Sequence, residues 1–207
     1  MSRAFEWRGS GVVFAALVLT ASTALGCLAG NNPGPVQHMH EVASVNAAPG
    51  PDDAVIVFLR PEGTTSATQA SLFDVTDGKS NTLIGILAAM KKLAYRTTPG
   101  RHVFMAIGEE ADFITANLEA GKLYYVLLML QQGGWKPSFS LQPVRADEHG
   151  QLTERLALTR WVETTPDAFD WARAHADDIE AKRFKYYGIW KQKPSFERLA
   201  LFPDDGR

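Results

Sequence analysis

The chain has a single cysteine, Cys27, among 207 residues. That excludes an internal disulfide and any zinc or iron–sulfur centre built from several cysteines. It also lacks a basic run, and its formal net charge is −2. There is therefore no cationic surplus with which to release counterions, and nucleic acid is excluded as a partner. There is no G-x-S-x-G, no H-E-x-x-H and no glycine-rich loop that follows a strand and opens a helix, so serine-hydrolase, zinc-peptidase and nucleotide-binding signatures are all missing. The longest apolar run, Gly11 to Ala21, falls short of the about 20 residues a membrane span requires. What remains is ordinary for a globular chain, 45% apolar and 21% charged, enough to bury a core.

That apolar run follows Arg3 and Arg8 and leads into Ala24-Leu25-Gly26-Cys27. A weakly positive start, an h-region and small residues describe a secretory signal peptide over residues 1–26. The last four positions resemble the lipobox of bacterial lipoproteins, with Ala24 and Leu25 in reversed order. The first reading is cleavage between Gly26 and Cys27 with acylation of the Cys27 thiol. Cleavage to a soluble form and an uncleaved short anchor are the alternatives. Acyl chains contribute about 0.8 kcal/mol per buried methylene, so two or three hold a protein on a bilayer. Position 28 is Leu rather than Asp. By resemblance to enterobacterial sorting, this makes the outer membrane the more expected destination than the inner one, with the protein facing the periplasm.

Residues 27–53 comprise the lipidated cysteine and then a stretch rich in Gly, Pro, Asn and Ala, without apolar periodicity. This composition predicts a flexible tether with a reach of roughly 28 Å. Within it, "QHMHE" places His38 and His40 on either side of Met39. Two imidazoles and a thioether are candidate soft-metal ligands. In a flexible segment they lack the outer shell that orients ligands, so no metal site is assigned and no cofactor is expected.

From Ala54 the texture changes to short β-branched and aromatic runs punctuated by turn signals. Strands are expected at about 54–60, 69–75, 81–88, 91–97, 102–108, 111–119, 123–130 and 138–144. Asp77-Gly78-Lys79 marks a hairpin turn. Thr98-Pro99-Gly100-Arg101 marks a type II turn, with Gly100 at the position that needs positive φ. Leu123 to Leu130 is apolar on both faces and should be covered on both sides. The expected class is mainly β, an antiparallel β-sandwich of seven or eight strands over residues 54–146.

Residues 147–207 read as a helical, aromatic-rich extension. Thr165 and Pro166 suit an N-cap and first helical position. A seam through Phe169, Ala172, Ala176, Ile179, Tyr186 and Trp190, interrupted at Arg183, predicts one long amphipathic helix to about Lys191. Its aromatics exceed what one helix face can hide. Packing against the sheet accounts for one face, and an envelope protein partner or membrane for the rest.

Three motifs carry a family resemblance. They are Arg60-Pro61 closing a strand, Pro99-Gly100-Arg101-His102 before another, and Ala120-Gly121-Lys122 ahead of Tyr124-Tyr125. Over roughly residues 54–144 the chain resembles the bacterial envelope lipoprotein family known as domain of unknown function 2846. The resemblance implies a prealbumin-like β-sandwich on a lipid tether and brings no activity or catalytic residue with it.

Histidines outside the tether, His102, His149 and His175, stand singly, and Glu109-Glu110 is an acidic pair at a loop. No nucleophile–base pair is visible. The expected function is a membrane-tethered envelope lipoprotein acting as a non-catalytic binding or assembly module, not an enzyme. Its partners would be the lipid bilayer, through acylated Cys27, and an envelope protein, through the C-terminal aromatics. The alternative is a periplasmic enzyme or metal-handling protein whose site is assembled from dispersed residues.

Overall fold

Along Ala54–Arg60 the side chains alternate between two apolar surroundings. Ile56 and Phe58 point into one cluster with Leu72, Phe104 and Val126, whereas Val57 and Leu59 point into another with Tyr125, Leu127 and Leu152. A strand buried on both faces must lie inside a layered fold. The computed structural model describes residues 38–62, 68–131 and 138–207. In chain order its elements begin with β1 (Met39–Val42), β2 (Ala54–Arg60), β3 (Ala70–Asp74), β4 (Thr82–Leu87), β5 (Lys91–Thr97) and β6 (Gly100–Ile107). They continue with β7 (Ala111–Leu118), β8 (Leu123–Gln131), β9 (Ser138–Pro143), α1 (His149–Leu158), β10 (Arg160–Thr164), α2 (Pro166–Ala174), α3 (Ala176–Gln192) and β11 (Ala200–Leu201). All eight strands expected over residues 54–146 are present, within two residues at each end.

Two sheets face each other, one ordered β1-β10-β5-β2-β8-β9 and the other β11-β7-β6-β3-β4. They are mixed rather than antiparallel, which corrects the expectation. β2 runs parallel to β8, β10 to β5, and β11 to β7. The turn at Asp77-Gly78-Lys79 does close a hairpin, between β3 and β4, but the next one changes sheets. The Pro99-Gly100 turn, with Gly100 at φ 122°, carries the chain from β5 in one sheet to β6 in the other. Ala88–Met90 likewise links β4 to β5 across the layers. Sheet neighbours are then set by distant partners, and these can be parallel.

Helices cover both outer faces, giving four layers. α1 lays Leu152 and Leu156 on Val57, Leu59 and Tyr125. Its C-terminal carbonyls are capped by Lys92, whose Nζ donates to the Leu156 and Thr159 carbonyls at 2.6 Å each. On the opposite face α2 and α3 seat Ala168, Ile179 and Trp190 against Phe73, Leu83, Met105 and Phe113. Fully burying a side chain of this size contributes about 1.5–3 kcal/mol, so the helical layer is part of the core.

Two further expectations change. Residues 28–53 are not a tether throughout, because β1 pairs antiparallel with β10, from Met39 with Thr164 to Val42 with Trp161. Beyond it, Arg96 holds the chain through Asp53 (2.5 Å) and the Ala48 carbonyl (2.9 Å). The partner strand is some 120 residues away, so local composition could not signal this pairing. The long C-terminal helix is also two helices. His175 leaves the helical region at φ −109°, ψ 16°, and both its backbone N–H (3.1 Å) and its Nδ1 (2.8 Å) engage the Trp171 carbonyl. Such local competition for a carbonyl ends a helix.

Candidate functional site

Gly26 and Cys27, with the signal-peptide segment and residues 28–37, lie outside the described residues. His38 and His40 lie inside them but do not converge. The His38 ring packs 6.2 Å from that of Trp171, and its carbonyl accepts hydrogen bonds from the Thr165 backbone (3.1 Å) and hydroxyl (2.8 Å). His40 is exposed opposite Glu163. Among the described residues no three metal-ligating side chains come together. Thr165 does stand immediately before α2 with Pro166 first in the helix. Its hydroxyl, however, ties the incoming chain at His38 instead of capping the helix.

His102 sits in a buried polar cluster that sequence spacing did not show. Its Nδ1 lies 3.2 Å from Asp74 Oδ2 and 3.2 Å from Thr76 Oγ1, and its Nε2 lies 2.9 Å from the Thr98 carbonyl. Tyr95 also donates to Asp74, at 3.2 Å, and the imidazole stacks on Phe104. Burial works against the charged imidazole, but the hydrogen bonds to Asp74 and to the Thr98 carbonyl outweigh it and hold His102 above its ordinary value. Burial also works against the Asp74 carboxylate, and hydrogen bonds from His102 and Thr76 outweigh it, holding Asp74 below its ordinary value. Both ring nitrogens are engaged. The cluster clamps β3, β5 and β6 together and leaves neither nitrogen facing a substrate.

A groove of about 520 Å³ lies between β4 and α2–α3. Leu83, Phe169, Ala172 and Ile179 supply apolar wall, and Lys79, Arg173, Asp177 and Glu180 stand around it. Arg183, which broke the apolar seam in sequence, explains the groove's geometry. It is buried, its NH1 donates to the Gly78 carbonyl at 3.0 Å, and its Nε donates to Glu180 at 2.9 Å. Glu180 also accepts from Asn81 Nδ2 at 2.8 Å. These bonds staple α3 to the β3–β4 turn. That turn is built on Asp77, whose Oδ1 accepts from Lys79 and Ser80 N–H at 2.8 Å each. Hydrogen bonds from the Ser80 hydroxyl and from those amides pull the Asp77 carboxyl down to about 2. Glu180 is thus spoken for, and Asp177 is the remaining carboxylate of the groove.

The outward side of α3 and the turn after it expose large apolar groups. Phe184 is 81% exposed, Phe196 79% and Ile189 51%. Their aromatic neighbours in sequence go the other way. Tyr187 and Trp190 stack on each other and pack against Phe113. The C-terminal aromatics therefore divide, some packed against the sheet and others exposed. Glu109 and Glu110 cap the β6–β7 turn, closed by the Gly108 N–H donating to the Glu110 carbonyl at 2.9 Å. No family model matches the chain, and no curated protein matches it.

Proposed function

We propose that this protein is a lipoprotein of the bacterial envelope, acylated at Cys27 after cleavage behind Gly26, and that it serves as a non-catalytic binding or assembly module. The observation that carries the second half is the division of the helical layer. Trp190 and Ile179 are spent on the core, whereas Phe184, Ile189 and Phe196 are held out to solvent on a rigid helix and its end. Apolar groups displayed this way mark contact surfaces. The buried His102 and its partner Asp74 are consumed in joining strands. The first half rests on the lipobox resemblance and the h-region in the sequence. The likeness to the envelope lipoprotein family rests on strand-and-turn motifs and adds the sandwich-on-a-tether arrangement. Leu28 favours the outer membrane.

The groove beside α2 favours the second reading, a small-molecule or metal-handling activity, because its about 520 Å³ falls in the range of ligand clefts. Of its two carboxylates Glu180 is held by Arg183 and Asn81, which weighs against paired acid–base chemistry there. The deciding test is the mass of the mature N-terminal peptide from wild type and Cys27→Ala, with membrane fractionation of both. A peptide beginning at Cys27 and heavier by acyl chains, lost in the variant together with membrane association, is expected. An unmodified or uncleaved N-terminus overturns the lipoprotein reading.

A further inference from the structure

From Ala181 to Lys193 the chain carries Lys182, Arg183, Lys185, Lys191 and Lys193 and no acid, in a protein whose overall charge is −2. Arg183 is turned inward to Gly78 and Glu180, and Lys182 stands 3.9 Å from Asp178 and donates to the Gly108 carbonyl. Lys185, Lys191 and Lys193 are exposed. The ammonium of Lys185 lies over the Tyr186 ring at 4.7 Å and that of Lys191 over Tyr187 at 4.9 Å. Lys193 is 3.9 Å from Asp112 and still substantially exposed. The helix macrodipole accounts for a lysine in the last turn. It does not account for Lys185, which lies two turns earlier.

Lys185 and Lys191 share the outward side of α3 with Phe184, while Ile189 lies at the edge of that side and Lys193 follows the helix end. At 100° per residue Lys191, Phe184, Gly188, Ala181 and Lys185 fall on one continuous arc opposite the buried Ile179, Arg183 and Trp190. Ala181 and Gly188 keep the ground between the apolar tips low. The acids of α3, Asp177, Asp178 and Glu180, all stand in its first half, ahead of Ala181, and Glu197 lies beyond its end. Apolar tips on a low, cation-studded helix face match the chemistry of an interface between anionic headgroups and acyl chains. A protein hot spot would instead gather its aromatics into a close-packed cluster.

The entry point of the chain agrees. Described structure begins at His38, packed on Trp171, and Trp171 belongs to the same apolar cluster as Tyr186 and Tyr187 of α3. Eleven peptide steps separate His38 from Cys27 and span at most about 40 Å. That reach lets an anchor at Cys27 hold the helical layer, on which His38 packs, at the bilayer.

We infer that the outward face of α3, with Phe184, Ile189 and the following Phe196 flanked by Lys185, Lys191 and Lys193, docks on an anionic lipid surface. This rests on the lipoprotein reading for its geometry but is testable apart from it. Phe184→Cys, on the full chain as isolated from the envelope, is labelled with an environment-sensitive fluorophore and placed in vesicles of phosphatidylcholine with or without phosphatidylglycerol. Glu154→Cys on α1 is the control. The label at 184 should be shielded from acrylamide at least fivefold more in the anionic vesicles than in the neutral ones. Lys185→Glu with Lys191→Glu and Lys193→Glu should abolish that shielding, and the label at 154 should stay open in both. Equal quenching at 184 and 154 in anionic vesicles overturns the inference. So does shielding in native envelope membranes with none in pure lipid, which assigns the face to a protein partner. If the N-terminal peptide carries no acyl group, the lipoprotein reading fails separately. The Cys27→Ser form is then mixed with the same vesicles. Anionic-selective sedimentation, reduced at least tenfold by the three charge reversals, sustains the docking face, and its absence sinks it.

Discussion

Nδ1 of His102 lies 3.2 Å from Oδ2 of Asp74, in a cluster that also engages Nε2 with the Thr98 carbonyl. Three strands from two sheets meet there, so the pair's protonation states are linked to whether the sandwich stays closed. His102 is held above its ordinary value of 6.5. Its contribution is complete below that unfolded value and is lost as pH rises through the folded one. Asp74 is held below its ordinary 3.8, and its contribution is lost only as pH falls through the folded value. Urea midpoints should therefore decline from pH 6 toward pH 8, and His102→Gln should remove that decline while lowering stability at pH 6. A flat wild-type profile over this range would show that the imidazole is neutral in the cluster.

Arg183 tests the staple between α3 and the β3–β4 turn. Arg183→Ala leaves the Gly78 carbonyl without its guanidinium donor and Glu180 with Asn81 alone and should cost about 1–3 kcal/mol. Amide exchange is expected to rise at residues 78–82 and in the middle of α3. Lys at this position cannot reproduce the forked contact, so Arg183→Lys should recover only part of the loss.

The two classes of C-terminal aromatic should separate cleanly in thermal unfolding. Trp190 is buried against Phe113 and Tyr187, and Trp190→Ala is expected to cost about 3–5 kcal/mol. Phe184 is exposed, and Phe184→Ser should alter stability by less than about 0.5 kcal/mol. Comparable losses in the two variants would mean that Phe184 is covered in the folded protein.

Gly85 of β4 lies where the edges of the two sheets approach. A Cβ there would sit 2.8 Å from Thr164 Oγ1 and 2.9 Å from Leu93 Cδ2. Thr164 also donates to the Ile84 carbonyl at 2.7 Å. Gly85→Ala should therefore cost about 1–3 kcal/mol through overpacking, read as a lower denaturant midpoint. Thr164→Ala combined with Gly85→Ala should restore part of it, since one of the two obstructing atoms is removed.

What the sequence determined by itself was local. Alternation and turn chemistry located all eight strands from Ala54 to Pro143, and Thr165-Pro166 marked the start of a helix, because propensity, periodicity and glycine φ act over a few residues. The both-faces apolar run at Leu123–Leu130 likewise announced a covered strand. Tertiary structure decided which strands are neighbours. It made β2 and β8 parallel, sent the Pro99-Gly100 turn across the sheets, and recruited Met39–Val42 as a strand beside β10. It also decided the candidate site. Arg183 looked like a flaw in an apolar seam until the Gly78 carbonyl was brought to it, and His102 looked solitary until Asp74 of β3 and the Thr98 carbonyl of the β5–β6 turn met it. Phe169 and Trp190 both stood in the apolar seam in sequence, yet Phe169 is exposed and Trp190 buried, and Phe184, six residues before Trp190, is exposed as well. Only the position of sheet β11-β7-β6-β3-β4 against α3 makes Trp190 a core residue and Phe184 a surface, because burial depends on what arrives from elsewhere in the chain.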